Sequence, residues 1–341
     1  MKLFIVGSDK VYAIENFYVK YLREVGIDIF HFPAQSIFYD HYQKNITNKI
    51  IYKLGISGIL KQINKQFKKQ VAQYKPDVIW VFKGMEIFPE SLQWAKEQKI
   101  KLVNYNGDNP FLFSGKGSGN KNVTNAISLY DLHLTYNRAV KEEMEKEYHI
   151  KTEILPFGFN IEETIYDECK KEQEINKVCF LGNPDKHRGF FLQKLAEKGV
   201  QIDLYGNDWD KFVQHPNVQT FTPVYADDCW LVLRKYRVQL NLMRPHNPDT
   251  HNMRTFEVPA VGGIQLAPYT PDHEIYFTPE KEIFLYTDMD NCVQQINKII
   301  SFTTSQTNLI RQSARARSID AGYSYAERAK QAISIIKSII E

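Results

Sequence analysis

Cysteine is scarce in this chain. The four in 341 residues, Cys169, Cys179, Cys229 and Cys292, lie far apart with no CxxC pair, which argues for a reducing, cytoplasmic setting and against a disulfide-built scaffold. Long apolar runs are also missing. None approaches the roughly 18 residues that cross a bilayer, and the opening Met-Lys-Leu-Phe-Ile-Val-Gly-Ser leads straight into a strand-like segment rather than an export signal. The formal net charge is only +3, too little to imply nucleic acid as a partner. No Gly-x-Ser-x-Gly elbow, Walker loop or GxGxxG fingerprint occurs, so serine-hydrolase, NTPase and standard dinucleotide-dehydrogenase chemistries drop out. His246, Asp249 and His251 lie close together, but no histidine pair has the i, i+4 spacing of a helical zinc site, and Pro245 and Pro248 mark a loop. No metal and no cofactor is expected.

Acidic residues are absent over one stretch. From His41 to Pro76 there is no Asp or Glu, while Lys44, Lys49, Lys53, Lys61, Lys65, Lys68, Lys69 and Lys75 are basic. Ile59, Ile63, Phe67 and Val71 recur at helical spacing, giving an amphipathic helix with a cationic outer face. A domain core needs such a stripe. The same segment, 44–75, is also suited to peripheral contact with anionic headgroups, which would place the protein in the cytoplasm against a membrane surface.

What is present reads as an ordinary globular chain, 43% hydrophobic and 24% charged, long enough for two cores. Strand-like and helix-like periods alternate in each half, which predicts an α/β fold of two doubly wound parallel sheets. The expected layout is a first domain over 1–158, a connection over 159–175, a second domain over 176–320, and a C-terminal helix over 321–341 that packs back on the first domain.

Ligands of such sheets bind at the carboxyl ends of strands. In the first half Gly7 ends the opening strand, Lys83-Gly84-Met85-Glu86 follows a buried strand, and Asp108 stands in an amide-rich turn, Asn104 to Phe111. Asp108 is a candidate base, although Asp-Asn-Pro also makes a turn for its own sake. In the second half Gly182-Asn183 and Arg188 follow the first strand, Gly206-Asn207 a later one, and Asn241 ends another. Residues 249–274 then read as a polar loop, a short helix with Arg254, Thr255 and Glu257, a Gly262-Gly263 stop and a buried strand. A helix start and the forked cation of Arg254 suit a diphosphate. Glu257, one turn on, suits two ribose hydroxyls, or equally the ordinary place of an acid in a first helical turn.

Phe180-Leu-Gly-Asn183, Arg188, Leu204-Tyr-Gly-Asn-Asp-Trp209, Leu240-Asn241, Met253 to Gly263 and Tyr323 to Arg328 together resemble the spore-maturation, CgeB-type glycosyltransferases. The likeness covers mainly residues 177–330. It implies the GT-B fold, two Rossmann-like domains facing across a cleft, and metal-independent transfer of a sugar from a nucleotide-diphosphate-sugar donor to a hydroxyl of a sugar-containing acceptor. On that resemblance Gly182, Asn183, Arg188, Gly206, Asn207, Asn241, Arg254, Thr255 and Glu257 hold the donor, Asp108 and Asp249 are the catalytic acids, and Gly7, Lys83 and His251 line the cleft. Related retaining enzymes carry two acids separated by seven residues. Glu257 matches the second and Asp249, a shorter acid, stands at the first. The alternatives are a non-catalytic nucleotide-sugar or carbohydrate-binding protein and a sugar-nucleotide epimerase of the same fold.

Overall fold

The structure is a computed structural model that describes residues 1–113, 117–244, 247 and 249–340. It divides into two compact units, Met1–Pro156 with the chain from Tyr325 onward, and Phe157–Ser324.

In chain order the first unit contains β1 (Lys2–Val6), α1 (Ile14–Glu24), β2 (Asp28–Phe32), α2 (Ala34–Gln43), α3 (Ile46–Lys53), α4 (Ile59–Tyr74), β3 (Val78–Phe82), α5 (Pro89–Glu97), β4 (Lys101–Tyr105), α6 (Lys121–Ala126), β5 (Leu132–Thr135), α7 (Arg138–Tyr148) and β6 (Thr152–Ile154). The described strands form a parallel sheet in the order β2-β1-β3-β4-β5-β6. β3 is buried at all five positions, as a central parallel strand covered on both faces must be. The stripe Ile59, Ile63, Phe67 and Val71 on α4 packs with Phe4, Ile79 and Leu92 in the core. Each such side chain contributes about 1.5–3 kcal/mol by leaving water, so this stripe is a core face, and the lysines of α4 lie outside it.

The second unit contains α8 (Glu163–Cys169), β7 (Ile175–Leu181), α9 (Lys186–Glu197), β8 (Ile202–Tyr205), β9 (Val218–Phe221), α10 (Asp227–Lys235), β10 (Tyr236–Leu240), α11 (Met253–Ala260), β11 (Gln265–Pro268), α12 (Pro271–Tyr276), β12 (Phe284–Tyr286), α13 (Met289–Ile300) and α14 (Thr304–Asp320). Its sheet runs β12-β11-β10-β7-β8-β9, all parallel. The stretch 159–175, expected as a connection, carries α8. Cys169 buries against Leu233 and Val261, with Ile165 beside them, and that apolar contact is too small a signal to stand out among the charges of 162–174.

The last helix, α15 (Tyr325–Lys337), returns to the first unit and packs on α1. Tyr325 stacks on Phe17 with ring centroids 4.9 Å apart and meets Tyr18 edge-on at 5.7 Å.

Both sheets reverse direction of growth once. In the first the reversal lies between β1 and β3, in the second between β7 and β10. The loops that leave the carboxyl ends of these neighbours diverge to opposite faces, which opens a crevice there for a ligand.

Candidate active site

In the second unit the β7–β10 reversal is where the candidate donor residues gather. Gly182 closes β7 and Gly206 closes β8. The two turns touch: a methyl group on Gly206 would overlap the Gly182 carbonyl, and Gly206 has φ +155. Trp209 donates from Nε1 to that same carbonyl at 2.9 Å. Only glycine lets the two backbones approach this closely.

Arg188 lies on the first turn of α9, whose N-cap Asp185 accepts the Arg188 amide at 2.9 Å. Its guanidinium reaches back over the reversal, donating to the carbonyls of Asn183 at 3.2 Å and of Leu242, just beyond β10, at 2.9 Å. Nε is buried with no hydrogen-bond acceptor among the described residues. Burial pulls the Arg188 pKa down to about 10, with the charges of Arg244 and Arg254 pushing the same way and Asp185 opposing. It remains a cation at neutral pH, with the Asp185 carboxylate 3.7 Å from its Nε.

Arg254 and Glu257 stand one turn apart on α11, guanidinium on carboxylate. Burial alone would lower the Arg254 pKa, but the Glu257 carboxylate more than reverses this and the pKa is raised. Both side chains keep some solvent access. α11 itself is fixed at both ends. At its start Asn252 accepts the Thr255 amide, and Thr255 Oγ1 accepts the Asn252 amide, a reciprocal cap. At its end the carbonyls of Ala260 and Gly262 accept from Arg315 and Arg311 of α14, cations where the helix dipole favours them. Arg311 is held in turn by Glu174, which also pairs with Arg237.

Three expected contacts are occupied within this scaffold. Asn241 exchanges two side-chain hydrogen bonds with Asn252, at 2.7 and 3.1 Å. Thr255 is fully buried, with its hydroxyl 3.1 Å from Nε2 of His273; burial pulls the His273 pKa down to about 4, so this imidazole is neutral. His251 is fully buried, with Nδ1 at 2.6 Å from Asp272 Oδ2 and its ring against Phe157, Phe256 and Tyr276. These residues set where α11 lies. Asn207 and Asp249 are exposed, Asp249 with φ +56. His246 lies outside the described residues. Among the described residues no group of three or more His, Cys, Asp or Glu side chains is placed to hold a metal ion.

In the first unit Gly7 follows β1 and lies against Glu15, whose carboxylate accepts the Ser8 amide at 2.5 Å. Lys83, past β3, adopts φ +62, pairs with Asp108 at 2.6 Å and donates to the Gly117 carbonyl at 2.6 Å. Asp108 sits in a turn closed by the Asn106 side chain. The buried Glu86 completes the cluster. Burial pushes its pKa up to about 7 against the pull of Lys83, and Glu15, itself pushed up by burial, adds a like charge. Glu15, Glu86 and Arg244 were not singled out from the sequence. Glu86 had a signal, three positions after Lys83 at a strand end; Glu15 and Arg244 had none short of the fold.

Residues 187–334 match a family profile described as glycosyl transferase-like. This is a glycosyltransferase. The fold agrees across the whole chain. The glycosyltransferase is similar to a sucrose-phosphate synthase from Thermosynechococcus elongatus, with a TM-score of 0.69, 12% identity and 99% of each chain covered. A glycosyltransferase from Rickettsia africae ESF-5 aligns with a TM-score of 0.67, 14% identity, and 100% of this chain and 98% of that chain covered. Anabaena Alr3699/HepE in complex with UDP-glucose aligns with a TM-score of 0.66, 13% identity, and 99% of this chain and 100% of that chain covered. No curated protein matches by sequence. The two six-stranded parallel sheets with their flanking helices are thus those of the GT-B fold.

Proposed function

We propose that this glycosyltransferase takes its sugar from a nucleoside-diphosphate sugar bound at the β7–β10 reversal and passes it to a hydroxyl of a sugar-containing acceptor. The observation that carries the reading is the gathering of guanidinium groups at the reversal, where Arg188 donates to the Leu242 carbonyl at 2.9 Å and Arg254 to the Leu181 carbonyl at 3.5 Å. A diphosphate adds negative charge beside guanidinium groups whose counter-charges here are the Asp185 and Glu257 carboxylates. In this reading the guanidinium groups do what a metal ion does elsewhere: they stabilise the diphosphate as the bond from the anomeric carbon to its phosphate oxygen breaks. The helix starts contribute less than the sequence implied, because Asn252 and Asp185 already occupy amides of α11 and α9.

Glu257 accepts the ribose hydroxyls while holding Arg254 in place. The acceptor proton is assigned to Asp108, the carboxylate beside Lys83 with solvent access. If Asp249 faces the sugar instead, the product keeps the donor's anomeric configuration. The narrower kinship with CgeB-type enzymes belongs to this proposal, supported by the motifs between Phe180 and Arg328. Uridine is the first base to try, since the Anabaena relative is described in complex with UDP-glucose.

The test is a calorimetric and thermal-shift comparison of UDP, GDP, TDP and CMP sugars on the purified chain. One of them should bind at micromolar affinity and raise the Tm. If none binds, the donor site assigned here does not exist.

A further inference from the structure

α3 is an unusual helix for its position. None of its eight residues is buried, yet its sequence, Ile-Thr-Asn-Lys-Ile-Ile-Tyr-Lys, is half apolar. One side is mounted on the protein: Tyr52 packs edge-on against Phe38 at 4.9 Å and Tyr42 at 5.5 Å, and Asn48 donates to the His41 carbonyl at 2.7 Å. The opposite side carries Ile46 and Ile50, 75% and 51% exposed, continued past the helix by Leu54 at 67% and Ile56 at 71%. At 100° per residue Ile46, Ile50 and Leu54 fall on one stripe. Lys53 lies on that stripe and Lys49 at its edge, with Nζ 5.9 Å from the centre of the Tyr42 ring; exposed Lys44 precedes the helix.

We propose that this face, Ile46, Ile50, Leu54 and Ile56 with Lys44 and Lys53, docks the enzyme on an anionic phospholipid bilayer. The apolar stripe is turned outward and mostly exposed, whereas the stripe of α4, which the sequence singled out, is buried in the core. Charge selects the occupant. No carboxylate occurs from His41 to Pro76, so within this segment headgroup phosphates meet lysines while the isoleucines enter the acyl boundary. A second copy docked symmetrically here would set Lys44 and Lys53 against their own kind, and duplex nucleic acid offers nothing to the isoleucines.

The experiment is co-sedimentation of the full chain, without substrate, with phosphatidylcholine vesicles containing or lacking phosphatidylglycerol. The chain should pellet with the anionic vesicles at least about ten-fold more strongly than with the neutral ones. Ile46→Asp with Ile50→Asp should abolish this, and Lys44→Glu with Lys53→Glu should weaken it by about ten-fold or more. All these positions are exposed, so both variants should keep the parent Tm. No pelleting on anionic vesicles overturns the proposal, as does pelleting that ignores both variants. A concentration-dependent dimer in light scattering that Ile50→Asp removes, with no vesicle binding, overturns it in favour of a second copy. The readout needs no nucleotide sugar, so it stands or falls separately from the donor assignment.

Discussion

The Arg188 guanidinium donates to the Leu242 carbonyl at 2.9 Å, tying the first turn of α9 to the segment just past β10. One side chain thus spans the point where the second sheet reverses, and burial with the charges of Arg244 and Arg254 lowers its pKa. Arg188→Ala should lower nucleotide affinity by about 2 kcal/mol, the scale of a charged hydrogen bond, and cost about 1 kcal/mol of stability for the lost tie. Arg188→Lys should restore the charge but not the fork, and so recover only part of the affinity. Calorimetry with the best nucleotide, beside melting curves, separates the two effects; unchanged affinity would remove Arg188 from the site.

Glu257→Gln should weaken nucleotide-sugar binding by about 1–3 kcal/mol. The amide keeps the shape but gives up both the charge that holds Arg254 and the stronger acceptor for ribose hydroxyls. The chain should stay folded, because α11 is anchored by Asn252, Arg311 and Arg315 rather than by this pair. Binding of a 2′,3′-dideoxyribose donor analogue is the discriminating measurement. It should be weak for the parent and change little in the variant.

Gly206→Ala should destabilise the second unit by about 2–4 kcal/mol, since the new methyl must displace the Gly182 carbonyl and the φ of +155 disfavours any side chain. Gly199→Ala is the control. It too has a positive φ, but open space surrounds its Cβ, so it should cost only the dihedral strain, about 1–2 kcal/mol. Thermal melts of the two side by side check whether contact or dihedral dominates.

Glu86→Gln should change stability in a pH-dependent way. The folded carboxyl titrates at about 7 against an ordinary value of 4.5, so the folded state binds the proton more tightly than the unfolded one. The proton's contribution is fully present below about pH 4.5 and is lost as pH rises through 7, in all about 3 kcal/mol. Gln, always neutral, escapes this loss. The variant should therefore match the parent near pH 5 and melt higher at pH 8. Parallel melting curves at both pH values would refute the buried ionisation.

The placements that the sequence made legible are those where chemistry repeats locally. Gly182 and Gly206 follow apolar runs at strand ends, and Arg254 and Glu257 sit three apart before a glycine stop, so periodicity alone puts them on one edge or one helix face. Asn241, Thr255 and His251 are polar residues of the same kind, and the fold sets them against Asn252, His273 and Asp272. Polar letters do not say whether their partner is a ligand or another side chain.

The sequence by itself determined two alternating strand–helix halves, the strand-end turns that carry the candidate residues and the acid-free lysine segment, because a period of two or 3.6 needs only near neighbours. The tertiary structure alone decided that Arg188 reaches the Leu242 carbonyl, that Glu15 and Glu86 share the neighbourhood of Lys83, and that α4 faces inward while α3 faces out. These depend on strand order and on which apolar stripe finds a partner, and both are settled by contacts between residues far apart in the chain.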